Sequence, residues 1–183
     1  EAIGISRSAN ILDQDDALKL IKRSMAKAGI DPKQFEPRKI QSLISRHKGN
    51  LGTADNISTL TQNRYLAETL RRVFTIYESA LREAGVLDFD DLLLFFRQIL
   101  DIPEVVEYFH SRFQYFMVDE YQDTNMLQYQ IVRILASRTR NLCVVGDDWQ
   151  GIYSWRGANI ENILSFKKDY PEALVINLEE NYR

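Results

Sequence analysis

Three short apolar runs constrain this chain most: residues 114–118, 142–145 and 173–178, each followed at once by polar residues. Runs of this length suit buried strands. The stretches between them are helical in pattern. Thr124 can cap a helix that carries Leu127, Ile131, Ile134 and Leu135, and Asn159 can open another towards Phe166. Strands alternating with helices predict a parallel sheet covered by helices. In such sheets ligands sit beyond the carboxyl ends of the strands. Asp119 and Glu120, Asp147 and Asp148, and residues 179–183 all fall at that position.

The first half has a different grammar. Asp13 can cap a helix with Ala17, Leu18, Ile21, Met25 and Ala28 in phase, and Gly29 sits where a helix stops. Pro37 is placed as a first-turn proline before Ile40, Leu43, Ile44 and His47. Residues 49–58 are polar and predict a loop. A longer helix with Tyr65, Leu66, Leu70, Val73, Phe74, Tyr77 and Leu81 in step should then run to about Ala84, with Gly85 ending it. Asp88 can cap a further helix through Asp91, Leu92, Phe95, Phe96 and Ile99. The 8 glycines and 4 prolines in 183 residues agree with a helix-rich chain.

Size and charge narrow the reading further. The length suffices for one large domain or two small ones with a real core. The longest apolar run, residues 92–96, is far short of the roughly 20 residues that span a membrane, so a soluble chain is expected. No charged-then-apolar leader is visible at its start. The single cysteine, Cys143, excludes an intrachain disulfide and a multi-cysteine metal site, and fits a reducing, cytoplasmic setting. His47 and His110 lack ligand spacing and read as ordinary residues. The net charge of −3 does not announce a nucleic-acid binder. It hides an asymmetry: residues 1–85 carry 14 Lys and Arg against 10 Asp and Glu, whereas residues 86–183 carry 9 against 16. Two regions with different partners would produce this pattern, and so would chance.

Two constellations carry chemistry. The first is Met117-Val118-Asp119-Glu120-Tyr121-Gln122-Asp123-Thr124. An Asp at the end of a strand can hold Mg²⁺, which favours hard oxygen ligands and keeps several waters. The Glu beside it can orient or deprotonate an attacking water. Asp119, Asp123 and Thr124 would equally favour the start of the next helix. The second runs from Val145 to Ala158 and holds Trp149, Gln150, Gly151, Tyr153, Trp155, Arg156 and Gly157. Aromatics beside a cation suit stacking on single-stranded bases; two tryptophans could also fill a gap between helix and sheet.

In this order and spacing the two constellations resemble motifs II and III of the UvrD/Rep family of superfamily 1 DNA helicases. Leu87-Asp88-Phe89-Asp90-Asp91-Leu92 fits the same family, and Leu178-Glu179-Glu180-Asn181-Tyr182-Arg183 resembles its motif IV. The likeness covers nearly the whole chain and is sharpest over residues 86–183. It implies an α/β fold of the P-loop NTPase type: a helical subdomain over residues 1–85, similar to the family's domain 1B, and part of a RecA-like domain 1A, a parallel sheet flanked by helices, over residues 86–183. It implies a role for each matching residue. Asp119 resembles the Mg²⁺-holding acid and Glu120 the catalytic base. Gln150 is similar to the glutamine that senses the ATP γ-phosphate, and Arg183 to the arginine that reaches it. Tyr153, Trp155 and Arg156 match the segment that meets single-stranded DNA.

The resemblance further implies ATP-driven movement along single-stranded DNA, 3′ to 5′, with unwinding of duplex DNA and repair or replication proteins as partners. A motor subunit of a helicase–nuclease and a non-catalytic DNA- or protein-binding module are the alternatives. The acid pair speaks against the second, since a pure binder has no use for it. The sequence also departs from the family pattern. No Gly-x-x-x-x-Gly-Lys-Ser/Thr run is present, so the phosphate-cradling loop and its lysine are missing from these residues. Gly151 stands where the family usually has serine. With Glu1 in place of Met and a stop at Arg183, the chain is expected to be a fragment that does not turn over ATP by itself.

Overall fold

The computed structural model describes residues 4–6, 8–147 and 161–178, and the account below concerns those residues. The fold is α/β, as the alternating pattern predicts, with helices dominating and two small parallel sheets. The first sheet pairs β1 (Asn10–Ile11) with β2 (Val86–Leu87), and three helices lie between these strands in sequence.

The helices of the first half form where capping and periodicity place them. The Asp13 carboxylate accepts the Asp16 amide at 2.8 Å and starts α1 (Gln14–Lys27). Gly29, at φ +67°, lets the Ile30 amide turn back to the Met25 carbonyl at 2.9 Å. Pro37 opens α2 (Pro37–Gly49), where its missing N–H costs nothing. A short 3₁₀ turn, Ile57–Leu60, ends the polar loop. Asn63 caps α3 (Arg64–Ala84), and Gly85 closes it at φ +63°. Ile21, Ile40, Ile44, Leu70, Val73 and Phe74 form the centre of one core between these three helices. Tyr65 departs from the predicted stripe: it is exposed and lies against Phe35. His47 is an ordinary buried residue, its Nε2 donating to Asn56 and Thr53 oxygens.

The second half starts with α4 (Phe89–Ile99). Asp88 and Asp91 form a reciprocal capping box there, each carboxylate accepting the other's backbone amide. A helix that periodicity did not reveal, α5 (Pro103–Arg112), follows. Its apolar positions are interrupted by Glu104, Glu107 and Ser111, and His110 fastens it to α6 through the Ile134 carbonyl. Strand β3 (Phe116–Val118) pairs in parallel with β4 (Leu142–Val144), and α6 (Met126–Ala136) crosses between them. Leu100, Leu127 and Ile131 centre a second core below this crossover. Two short helices, α7 (Glu161–Leu164) and α8 (Phe166–Asp169), end the helical elements.

Two local expectations need correction. Asn125, not Thr124, caps α6: its side chain accepts the Gln128 amide at 2.9 Å, while the Thr124 hydroxyl donates to the Tyr121 carbonyl. Residues 173–178 do not form a strand. A strand exists only through a ladder partner, and among the described residues this run has none; Leu174, Ile176 and Leu178 stand exposed. The predicted cap Asn159 lies outside the described residues.

Two observations tie the halves together. Lys48, at the end of α2, is buried and reaches Asp88 and Asp91 at the start of α4. Gly49 comes so close to α6 that an added Cβ would stand 2.7 Å from the Asn125 amide nitrogen. None of the described helices is long and apolar enough to cross a membrane.

Candidate active site

The acid pair sits at the carboxyl end of β3, beside the carboxyl end of β4. The ladder sets this position. Val118 pairs with Val144, the Val145 amide donates to the Val118 carbonyl at 2.8 Å, and the Tyr121 amide donates to the Val145 carbonyl at 2.9 Å. Between these anchors the chain must turn sharply, and Glu120 takes the turn in the left-handed region at φ 50° and ψ 41°. A non-glycine residue there carries strain that its surroundings must hold.

Three hydrogen bonds hold Glu120. Its amide donates to Asp119 Oδ1 at 2.9 Å, its carbonyl accepts the Asp123 amide at 2.8 Å, and its Oε2 accepts Gln122 Nε2 at 2.7 Å. Asp119 and Glu120 are both exposed, whereas Tyr121 and Gln122 are buried beneath them. The 3₁₀ turn Tyr121–Asp123 thus anchors the loop through its side chains and leaves both acids facing outwards. Burial, reinforced by the charge of Glu120, pushes the Asp123 carboxyl above its ordinary pKa. Asn162 on α7 donates to the Thr124 carbonyl at 2.9 Å and fixes the far side of the loop.

The donor set suits a sparsely held hard cation. No group of three or more His, Cys, Asp or Glu side chains among the described residues could cage a metal. Mg²⁺ does not ask for one: it binds through one or two carboxylates and retains water. Asp119 offers such a carboxylate, with Glu120 next to it.

Asp119 and Glu120 directly follow the last residue of β3. Gln150, Tyr153, Trp155, Arg156 and Arg183 lie outside the described residues. Sequence reasoning passed over Gln122 and Gly146. Gln122 had a readable signal, since it stands two residues after Glu120; Gly146 had only its place at the end of an apolar run.

A second charged cluster is centred on Lys48. Lys48 Nζ stands 2.9 Å from Asp88, 2.6 Å from Asp91 and 3.2 Å from Glu78. Tyr77 donates its hydroxyl to Asp88 at 2.9 Å. Burial alone would lower the Lys48 pKa, but Asp88, Glu78 and Asp91 outweigh it and hold the ammonium well above its ordinary value. Asp90 lines a cavity of about 860 Å³ bounded by α1, α2 and α4 and, on another side, by Asp123, Asn125 and Gln128. Burial and the neighbouring Asp88 raise its carboxyl to about 6, against the opposing pull of Ser45 and Lys48.

The described residues thus form an α/β chain with an Asp-Glu pair at the carboxyl end of a parallel strand. Residues 1–171 match the model of the UvrD/REP helicase N-terminal domain, and the chain belongs to that family. It is 47% identical over 184 residues to the ATP-dependent DNA helicase PcrA of Bacillus subtilis, and 48% identical over 185 residues to that of Staphylococcus aureus. Each alignment covers all of this chain and 25% of the relative, so the chain spans about a quarter of those proteins.

Proposed function

We propose that the full-length protein is an ATP-dependent DNA helicase that couples ATP hydrolysis to movement along single-stranded DNA, 3′ to 5′, and to unwinding of duplex DNA. The observation that carries this reading is the exposed Asp119–Glu120 pair at the carboxyl end of β3, in a chain whose longer relatives are named ATP-dependent DNA helicases. Residues 1–85 act as the helical subdomain and residues 86–183 as part of the RecA-like domain. The basic balance of the first region favours contact with DNA phosphates. The protein works in the cytoplasm, with repair or replication proteins as partners.

Asp119 holds Mg²⁺, which offsets the charge of the ATP phosphates when bound. Glu120 accepts the proton of the attacking water. Gln150 and Arg183 contact the γ-phosphate, and Tyr153, Trp155 and Arg156 meet single-stranded DNA. Phosphoryl transfer depends on positioning by a phosphate-cradling loop and its lysine. The 183 residues contain no such run, so this chain by itself is expected to release no phosphate from ATP.

Glu120→Gln in the full-length protein tests the reading. The amide keeps the shape and removes the base. ATP binding should stay near wild type while hydrolysis falls about 10²–10⁴-fold. Hydrolysis within about threefold of wild type would remove Glu120 from the role.

A further inference from the structure

Gln122 is buried to 1% exposure, yet both ends of its amide are engaged with groups that matter to the acid pair. Its Nε2 donates to Glu120 Oε2 at 2.7 Å, and its Oε1 accepts the Asp147 backbone amide at 3.0 Å. The side chain therefore bridges the carboxyl ends of β3 and β4. A second observation singles out the same atom. A Cβ on Gly146 would stand 2.5 Å from Gln122 Oε1 and 2.7 Å from Ile163 Cδ1. Position 146 thus has room for glycine only while Gln122 and Ile163 occupy their places.

We propose that Gln122 is a positioning residue that ties the Glu120 carboxylate to the main chain at Asp147, so that the segment following β4 sets the aim of the base. The inference rests on the reading of Glu120 as general base. Glu120 is exposed and sits on a strained turn, so its carboxylate has several rotamers to choose from. The Gln122 amide selects one. Asp147 leads directly into the residues whose family likeness is to a DNA-contacting segment. A displacement of the Asp147 backbone would alter its hydrogen bond to Gln122 Oε1, and through it the aim of Glu120. Misplacement of a reacting group by about 1 Å is enough to cost roughly 10²-fold in rate.

The test uses the full-length protein with ATP and a single-stranded oligonucleotide. Gln122→Met keeps the volume and removes both hydrogen bonds. It should leave the KM for ATP within about threefold, and lower the DNA-stimulated kcat by about 10- to 100-fold. The DNA-free rate should fall much less, so the stimulation ratio collapses. A merely structural role would lower both rates together with the melting temperature and leave the ratio intact; that result overturns the proposal. So does a ratio within twofold of wild type. Gly146→Ala crowds Gln122 Oε1, and Ile163 Cδ1 beside it, without altering Gln122 itself, and should give the same loss of ratio. It decides the matter if Gln122→Met does not fold. Glu120→Gln run in parallel separates the two readings. If that variant still hydrolyses ATP, the assignment of the base fails; if it is inactive while both link variants keep their ratio, only the positioning role fails.

Discussion

Lys48 and Asp88 are far apart in sequence, and the structure puts the Lys48 ammonium 2.9 Å from one Asp88 carboxylate oxygen and 3.0 Å from the other. Both side chains are almost fully buried. Removing one partner of such a group leaves the rest as uncompensated charge, which costs about 3–5 kcal/mol. Lys48→Met should therefore lower the urea midpoint of the chain sharply. Replacing Asp88 should also lower it: Asp91 and Glu78 still face the ammonium, but the α4 cap and the acceptor of the Tyr77 hydroxyl are lost. Equal midpoints for wild type and Lys48→Met would mean that the cluster contributes no net stability.

Asp90 gives the fold a pH dependence of defined sign. Its carboxyl is raised from 3.8 to about 6 in the folded chain. Between those values the folded state holds a proton that the unfolded state has released, so stability falls as pH rises through the window. The full effect is about 3 kcal/mol, present above pH 6 as a loss. Asp90→Asn should raise the urea midpoint at pH 7 and leave it nearly unchanged at pH 4. A wild-type chain and variant that differ equally at both pH values would contradict the assignment.

Gly85 isolates a backbone effect. Its φ is +63°, and a Cβ added there would meet nothing within 4 Å. Gly85→Ala should cost about 1 kcal/mol from conformation alone. Gly85→Asn should cost less, because asparagine tolerates the left-handed region better. Denaturation midpoints of the two variants check the order.

Trp155 tests the proposed DNA contact. Stacking on a base is worth about 1–3 kcal/mol by alanine substitution. Trp155→Ala in the full-length protein should weaken single-stranded DNA binding by about 5- to 150-fold and leave the urea midpoint in place. A large fall in midpoint with unchanged affinity would identify it as a core residue, since burial of that ring is worth about 3–5 kcal/mol.

The helices of the first half were legible because their signals are local. Asp13, Pro37, Gly29 and Gly85 act within a turn of their own position. The acid pair was legible for the same reason, as a short run ending in charge. What the sequence concealed depends on distant partners. Nothing near Lys48 points to Asp88 or Asp91, whose spacing reads only as a cap. Residues 173–178 have the composition of a strand, but composition supplies no ladder. Helix α5 escaped because its face against α6 is secured partly by His110, a polar contact that hydrophobic periodicity does not register. The contact of Gln122 depends on β4, which brings the Asp147 amide to its side-chain oxygen.

The register of β3 and β4 sets Met117 beside Cys143, and both are exposed. Cys143 is the sole thiol of the 183 residues. Any disulfide this chain forms must therefore join two molecules, and oxidation in storage would appear as a covalent dimer abolished by reductant. The same chemistry makes the strand a built-in reporter. One maleimide dye reacts at one place, next to Met117, and its rate of attachment reads directly whether anything lies over that part of the sheet.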